Sequence, residues 1–365
     1  MIRTRALVIS ALLVSITQNA AAAKPHRHHP TRLTGLLLID TEYSNGYADE
    51  KASNIFVDTL QVRMDRSINQ NVSVHGSLLH EEDAQHDSNG IVMEEVYVTL
   101  SPGKDSRVAF TLGRQYLPFG NYSTHLITDP EALHLAKIND TAAVIKYGTE
   151  FNVHAFAMNG NTIKANPQQK KKDNAAEYGY GFSYEGEHFK IGTDWTNSIC
   201  ESDDVVDSIA DTIALKTYVP GWDFHTGLTV GQWELTAEYV TATRSFDATE
   251  LSFNGSGAKP SAWHIETAYQ LPNNDAWLAF RTGQTREFLF LNQPKSTISL
   301  GYGQTIYKNT TLKLEAYRQK DYATTDNANH FNGITATESG YSLAEPIIGT
   351  GNMANGFIAQ IGVAF

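Results

Sequence analysis

Several stretches of this sequence carry side chains whose types and spacing could do chemistry. In "QHDSNG", His86 lies two residues before Ser88, and a histidine that takes a serine proton makes a nucleophile for acyl transfer. Such a site also needs a group to orient the imidazole. The segment that follows, "IVMEEVYVTL", has no Asn or Gln, leaving only Glu94 or Glu95. D-S-N-G is good turn chemistry by itself, so the stretch reads as a turn and no catalytic residue is expected. "HRHH" supplies His26, His28 and His29 after Ala21-Ala22-Ala23. Cleavage after Ala23 would put His26 third, where amino-terminal copper sites place a histidine. Those sites need the second residue's amide nitrogen deprotonated, and Pro25 has no amide proton. "SDDVVDSIAD" could hold a divalent cation but lacks the spacing and glycine of a calcium loop. We expect no metal and no other cofactor.

The richest stretch is "GRQYLPFGNYSTHLITDPEALHLAKIND", Gly113 to Asp140. Arg114 can grip a carboxylate with two parallel hydrogen bonds, beside Tyr116. His125, His134 and Lys137 follow, and Lys146 stands on the next segment. Together they suit a small anion. Asp129 and Glu131 in the same stretch argue against a purely anion-attracting surface. Arg114 could equally pair with an internal carboxylate and pin the stretch in place. Lys170–Lys172 reads as a solvated charge run, able to meet lipopolysaccharide phosphates or to draw in an anion.

Whatever positions these residues is built from strands, because period-two alternation dominates and helical periodicity is nearly absent. In "QWELTAEYV", Trp233, Leu235, Ala237 and Tyr239 oppose Glu234, Thr236 and Glu238. "AWHIETAYQL" sets Trp263, Ile265, Thr267, Tyr269 and Leu271 against His264, Glu266 and Gln270. Sixteen such segments are expected at about 33–43, 55–65, 72–81, 91–100, 108–116, 141–147, 150–158, 177–184, 188–196, 222–230, 233–243, 262–271, 276–285, 297–306, 311–319 and 353–365. Their connections alternate between short turns and long polar loops. "TIALKTYV" would upset that order as a strand, so we place it in an extension of a long loop.

The beginning of the chain reads as an address. Arg3 and Arg5 precede an apolar core, Ala6 to Ile16, and a small-residue cleavage site, the pattern of an export signal. We therefore divide the chain into a signal peptide (1–23), a periplasmic tail (24–32) and a barrel (33–365). Cleavage moves the net charge from −12 to −14 as Arg3 and Arg5 leave. An acidic chain without a basic stripe excludes nucleic acid as a partner. The single cysteine, Cys200, rules out an internal disulfide and reads as an exposed loop thiol.

An even number of strands, with turns and long loops alternating, is what a transmembrane antiparallel β-barrel needs. The chain also closes on "FIAQIGVAF", with Phe357, Ala359, Ile361, Val363 and Phe365 on one face, similar to the assembly signal of outer-membrane barrels. A soluble domain would expose that edge at risk of aggregation. Glu94 breaks the pattern, sharing a face with Val96, Val98 and Leu100, and should lie near the rim. Sixteen strands enclose an aqueous channel. The stretch from Gly113, third of the long loops, carries Leu117, Phe119, Leu126, Ile127, Leu133 and Leu135. Non-strand backbone at membrane depth is tolerated inside a lumen, so this loop is the expected constriction.

"GRQYLPFGNYSTHLITDPEAL" and "GWDFHTGLTVGQWELTAEYVTATRSFDATELSFNGSGAKPSAWHIETAY" resemble the LbtU-type siderophore porins of Gram-negative bacteria. The similarity extends over most of the mature chain. The first block is also loosely similar to the G-R-x-x-x-P-F-G stretch of substrate-selective porins. Residues 86–90 resemble the H-x-S-N-G stretch of outer-membrane phospholipase A, which carries its pair on a strand rather than in a turn-rich loop. The porin resemblance implies an outer-membrane channel without a plug, taking up a ferric siderophore of the polycarboxylate type. A TonB-dependent receptor needs a plug and 22 strands, for which this chain has no room. Expected partners are therefore a ferric siderophore or another small anionic solute, with outer-membrane lipid and lipopolysaccharide around the barrel. A homotrimer is compatible with the pattern. Two other readings use the same fold: a general or differently selective diffusion porin, and a surface receptor or adhesin with a closed lumen.

Overall fold

The computed structural model describes residues 31–365 apart from 83–89, 104–105, 161–162, 165–176, 209–213, 273–274, 330–333, 338–339 and 344. The expected signal peptide, the histidines at 26–29, His86 with Ser88, and Lys170–Lys172 all lie outside the described residues.

Sixteen antiparallel strands close into one barrel. They are β1 (Arg32–Asn45), β2 (Lys51–Ser67), β3 (Val72–His80), β4 (Val92–Leu100), β5 (Val108–Tyr116), β6 (Asn139–Gly148), β7 (Phe151–Met158) and β8 (Glu177–Glu185). The second half is β9 (Phe189–Thr196), β10 (Gly221–Val230), β11 (Trp233–Ala242), β12 (Ser261–Gln270), β13 (Ala276–Arg286), β14 (Ser296–Tyr307), β15 (Thr310–Lys320) and β16 (Met353–Ala364). Each matches one expected segment. "TIALKTYV" supplies no barrel strand; Ala214–Leu215 pairs with Ile163–Lys164 in a separate two-stranded sheet.

Closure runs through β1 and β16, from Leu36 opposite Ala364 to Asn45 opposite Asn355. The last residue extends this seam, because the backbones of Gly35 and Phe365 exchange hydrogen bonds of 2.7 and 3.0 Å. Alternation sorts the two faces as the sequence suggests. Trp233, Leu235 and Tyr239 are exposed on the outer face, whereas Glu238, His264 and Glu266 are buried within. Outer aromatics gather toward both ends: Tyr178 and Tyr180 pack on Trp195 near the loops, and Trp233 packs on Tyr269 near the turns.

Glu94 departs from expectation. The ladder slips between Ser77 and Leu78, so that Glu95 faces Ser77 while Met93 faces Leu78. Glu94 is the extra residue of a β-bulge, which re-aims a side chain against the strand's period. It is buried, accepting hydrogen bonds from Gln61 and, at 2.6 Å, from the Tyr116 hydroxyl.

The main core sits inside the barrel at its loop-bearing end. The third loop's Leu117, Phe119, Leu135 and Ile138 cluster there with Ile199, Cys200, Phe246, Leu251, Phe288 and Tyr322 from later loops. Cys200 is therefore buried, not an exposed thiol, and burial pushes its pKa up.

Gly113 starts the third loop's approach. Its φ is 133°, and a Cβ there would overlap the Val96 carbonyl and the Tyr97 backbone on β4. Gly113→Ala should destabilise the barrel by about 1–3 kcal/mol, the usual cost of forcing a side chain into such backbone. A lowered urea midpoint of the refolded protein is the expected reading; an unchanged midpoint would mean β4 yields freely.

Candidate pore constriction and vestibule

The third loop, residues 117–138, enters the lumen and is fastened by side chains on the far wall. Polar backbone inside a barrel must find partners, and here carboxylates supply them. Asp194 on β9 accepts the Gly120 N–H at 3.0 Å. Glu238 on β11 accepts those of Asn121 (2.9 Å) and Tyr122 (2.6 Å). Glu266 on β12 accepts the His125 N–H (2.7 Å) and the Thr124 hydroxyl (2.5 Å). Glu315 on β15 accepts the N–H groups of Ile127 (2.6 Å) and Thr128 (2.8 Å). Cations take the carbonyls. Arg281 on β13 donates to the Thr128 and Asp129 carbonyls at 2.7 and 3.0 Å, and Lys313 on β15 to that of Leu126 at 3.1 Å. Glu266, Arg281, Lys313 and Glu315 are all buried.

The loop's return is clasped by another loop. A single turn, α1 (Leu133–Ala136), packs against α2 (Asp203–Ser208). His134 bonds the Asp204 carboxylate, Asp203 accepts the Asn139 N–H at 2.8 Å, and Ser202 donates to the His134 carbonyl at 3.2 Å. The acidic run read as a weak cation loop is thus a clasp.

The structure scatters part of the expected anion site. Arg114 is exposed and pairs with Val96, on the strand face that presents Leu112 to the outside. The expectation of a lumen-facing Arg114 is corrected, because β5 keeps its alternation to Leu112 and beyond. Lys146 follows Val144 on the inner face but stands two residues from Gly148, at the turn-bearing end. His125 reaches deep into the barrel, with Nδ1 3.1 Å from Glu266 and Nε2 3.5 Å from Glu234. Tyr116, Asp129, Glu131, His134 and Lys137 do come together near the mouth. Lys137 is buried, 4.0 Å from Asp203, with its ammonium 5.5 Å from the Tyr116 ring centre.

Beside the loop a cavity of about 780 Å³ remains, bounded by β1–β3, the β13–β16 wall and loop residues 127–134. Its described lining holds eight carboxylates: Asp40, Glu42, Asp58, Glu81, Glu82, Asp129, Glu131 and Asp321. The only basic lining residues among them are Arg281 and His134, both already bonded to the loops. Neither Asp129 oxygen has a hydrogen-bond partner. Burial pushes Asp129 up to about 7, against the pull of His134 and Lys137, and pushes Glu81 up to about 8. Sequence reading named Asp129 and Glu131 but missed Asp40, Asp58, Arg281, Lys313 and Glu315. In "TLKLEAYR", Lys313 and Glu315 alternate with Leu312, Leu314 and Ala316 and so face inward; nothing local tells that a loop lies on them.

No family model matches the chain. It is similar to a UPF0422 protein of Coxiella burnetii, 25% identical over 300 residues, covering 79% of this chain and 64% of the relative. A UPF0422 protein of Legionella pneumophila (strain Philadelphia 1) is 24% identical over 323 residues, covering 82% and 59%. The chain thus spans under two thirds of the length of these relatives. Among solved structures, an anion-selective porin from Comamonas acidovorans superimposes with a TM-score of 0.59 at 12% identity, covering 92% of this chain and 99% of that one. OmpT, an outer membrane protein of Vibrio cholerae in trimer form, gives 0.56 at 11% identity, covering 93% and 100%. The outer membrane channel DcaP of Acinetobacter baumannii gives 0.55 at 11% identity, covering 95% and 100%. The fold is that of outer-membrane porins.

Proposed function

We propose that the protein is a passive outer-membrane channel, gated in size by its third loop and entered from outside through the acidic vestibule. The carrying observation is the loop's attachment. Four wall carboxylates, an arginine and a lysine hold it across the lumen and leave the 780 Å³ cavity alongside. Rings of carboxylates select cations, so small cationic or neutral solutes suit this entrance. Residues 1–23 act as the export signal in this reading, and residues 24–32 as a periplasmic tail.

A ferric polycarboxylate siderophore is the second cargo, favoured by the resemblance of the two sequence blocks to LbtU-type porins. The vestibule opposes it, since the cations meant to attract an anion lie outside the barrel (Arg114), at its far end (Lys146) or in an ion pair (Lys137). Such a complex would have to bring its own charge compensation.

Single-channel conductance of the refolded barrel, titrated separately with spermine, citrate and a ferric polycarboxylate complex, tests both. Block by spermine at concentrations where both anions are inert is the expected outcome. Block by the ferric complex well below the citrate concentration needed would establish the siderophore cargo instead. Indifference to all three leaves a general porin, and a folded barrel without conductance leaves a surface receptor. The mass of the refolded protein in mild detergent tells trimer from monomer.

A further inference from the structure

Behind the start of the third loop, the inner wall carries a second cluster that neither the pore nor the loop's attachment fully uses. Strand register sets His154 on β7 opposite Gly181 on β8, Gly181 opposite Asp194 on β9, and Asp194 opposite Asp223 on β10. These positions form one row across four neighbouring strands. One row away, His225 on β10 pairs with Glu238 on β11.

The side chains converge. His154 Nε2 lies 3.1 Å from Asp194 Oδ1, His225 Nδ1 lies 2.6 Å from Asp223 Oδ1 and 3.8 Å from Asp194 Oδ2, and Asp223 faces Glu238. Ligand atoms of Asp194, Asp223 and His225 all fall within 4.8 Å of one another. Glycine makes the room, because a Cβ on Gly181 would overlap both Asp194 and His154, and one on Gly192 would overlap the His225 ring.

Hydrogen bonds leave this cluster incomplete. His154 Nε2 and Asp194 Oδ1 face each other at 3.1 Å without hydrogen-bond geometry, and Asp223, whose Oδ2 also lacks it, lies against the Glu238 carboxylate. Their residues are 7%, 3% and 0% exposed, and orphaned polar atoms so deep normally call for an unseen partner. Charge points the same way. Asp194, Asp223 and Glu238 are three buried carboxylates against two imidazoles, with the inward-facing Lys146, across from His154, as a cation that acts on Asp194.

We propose that His154, Asp194, Asp223 and His225 bind a first-row divalent transition metal of the Zn²⁺ type. Atoms sharing a tetrahedral zinc at about 2.0–2.2 Å stand roughly 3.5 Å apart, so the ligand atoms of Asp194, Asp223 and His225, all within 4.8 Å of one another, need only small closure, and His154 enters as the fourth ligand from its place 3.1 Å from Asp194. Mixed imidazole and carboxylate ligands select such an ion over Mg²⁺ or Ca²⁺. Through Asp194, which also accepts the Gly120 N–H, the ion ties the loop's entry to three wall strands. The inference is independent of what crosses the pore.

The test uses the full barrel with His26, His28 and His29 changed to Ala, which removes the competing amino-terminal histidines. Calorimetric titration with Zn²⁺ should show one equivalent bound and no heat with Mg²⁺. Asp223→Asn and His154→Gln, checked for folding by heat-modifiable migration, should each weaken binding by at least about tenfold. Zinc that is not bound stoichiometrically, or binding untouched by both changes, overturns the proposal. Should the variants fail to fold, Co²⁺ in the parent barrel decides. A visible spectrum of nitrogen ligation supports the site, and the spectrum of the hydrated ion refutes it.

Discussion

Replacing Glu238, Glu266 and Glu315 together by Ala is expected to raise the single-channel conductance several-fold and to make it fluctuate. Each carboxylate accepts two or more hydrogen bonds from loop residues 121–128. Hydrogen bonds to an ionised group contribute about 1.5–3 kcal/mol apiece, so the three acids together hold the loop by on the order of 5 kcal/mol or more. Removing them also takes from the buried Arg281 and Lys313 the carboxylates of Glu266 and Glu315, leaving Asp129 and Asp40 as their counter-charges, which unsettles the wall the loop lies on as well as loosening the loop. The barrel survives because its ladder is closed independently of the loop. Heat-modifiable migration confirms folding, and a planar bilayer reads the current. A folded triple variant with the parent's conductance would show that the loop's apolar cluster alone fixes the pore.

The parts of this arrangement that obey a local period were legible in the sequence. Sixteen strands, the inward face of Glu238 and Glu266, and the third loop as an inward segment all follow from alternation and its interruption after Tyr116. What failed depends on a break of period or on distant partners. Glu94 turns inward only because one residue bulges out of the ladder opposite Ser77. Arg114 was assigned to the loop it precedes, yet the strand's alternation still governs it and points it outward. Alternation turns Glu238 and Glu266 inward without saying that a loop lies on them. The wall acids' partners lie about 115–190 residues away in sequence, and no local pattern announces a pairing at that range. Cys200 misled likewise, since an acidic neighbourhood suggests exposure while the residue packs under two loops.

The vestibule should behave as a pH-dependent cation filter. A single carboxylate about 8 Å from a passing ion contributes roughly 0.5 kcal/mol in water, before screening. Salt weakens this over a Debye length of about 8–10 Å, so several acids acting together give about 1–2 kcal/mol, a several-fold enrichment of cations. Two of the eight, both outside the strands, contribute to the pH dependence. Burial raises Asp129 to about 7 and Glu81 to about 8, so both are mostly neutral at pH 6 and charged at pH 9. A raised carboxyl pKa means that charge appears as pH increases, so cation preference should grow across this window, not fall. Reversal potentials in a tenfold KCl gradient should therefore move toward the potassium limit between pH 6 and pH 9. Asp129→Asn with Glu81→Gln should reduce that change while leaving the preference set by the remaining acids, and raising salt should weaken the preference in both proteins. A reversal potential that stays near zero, or that favours chloride at pH 9, would mean that ions cross where the acids do not reach. The anionic cargo would then become the better reading of this pore.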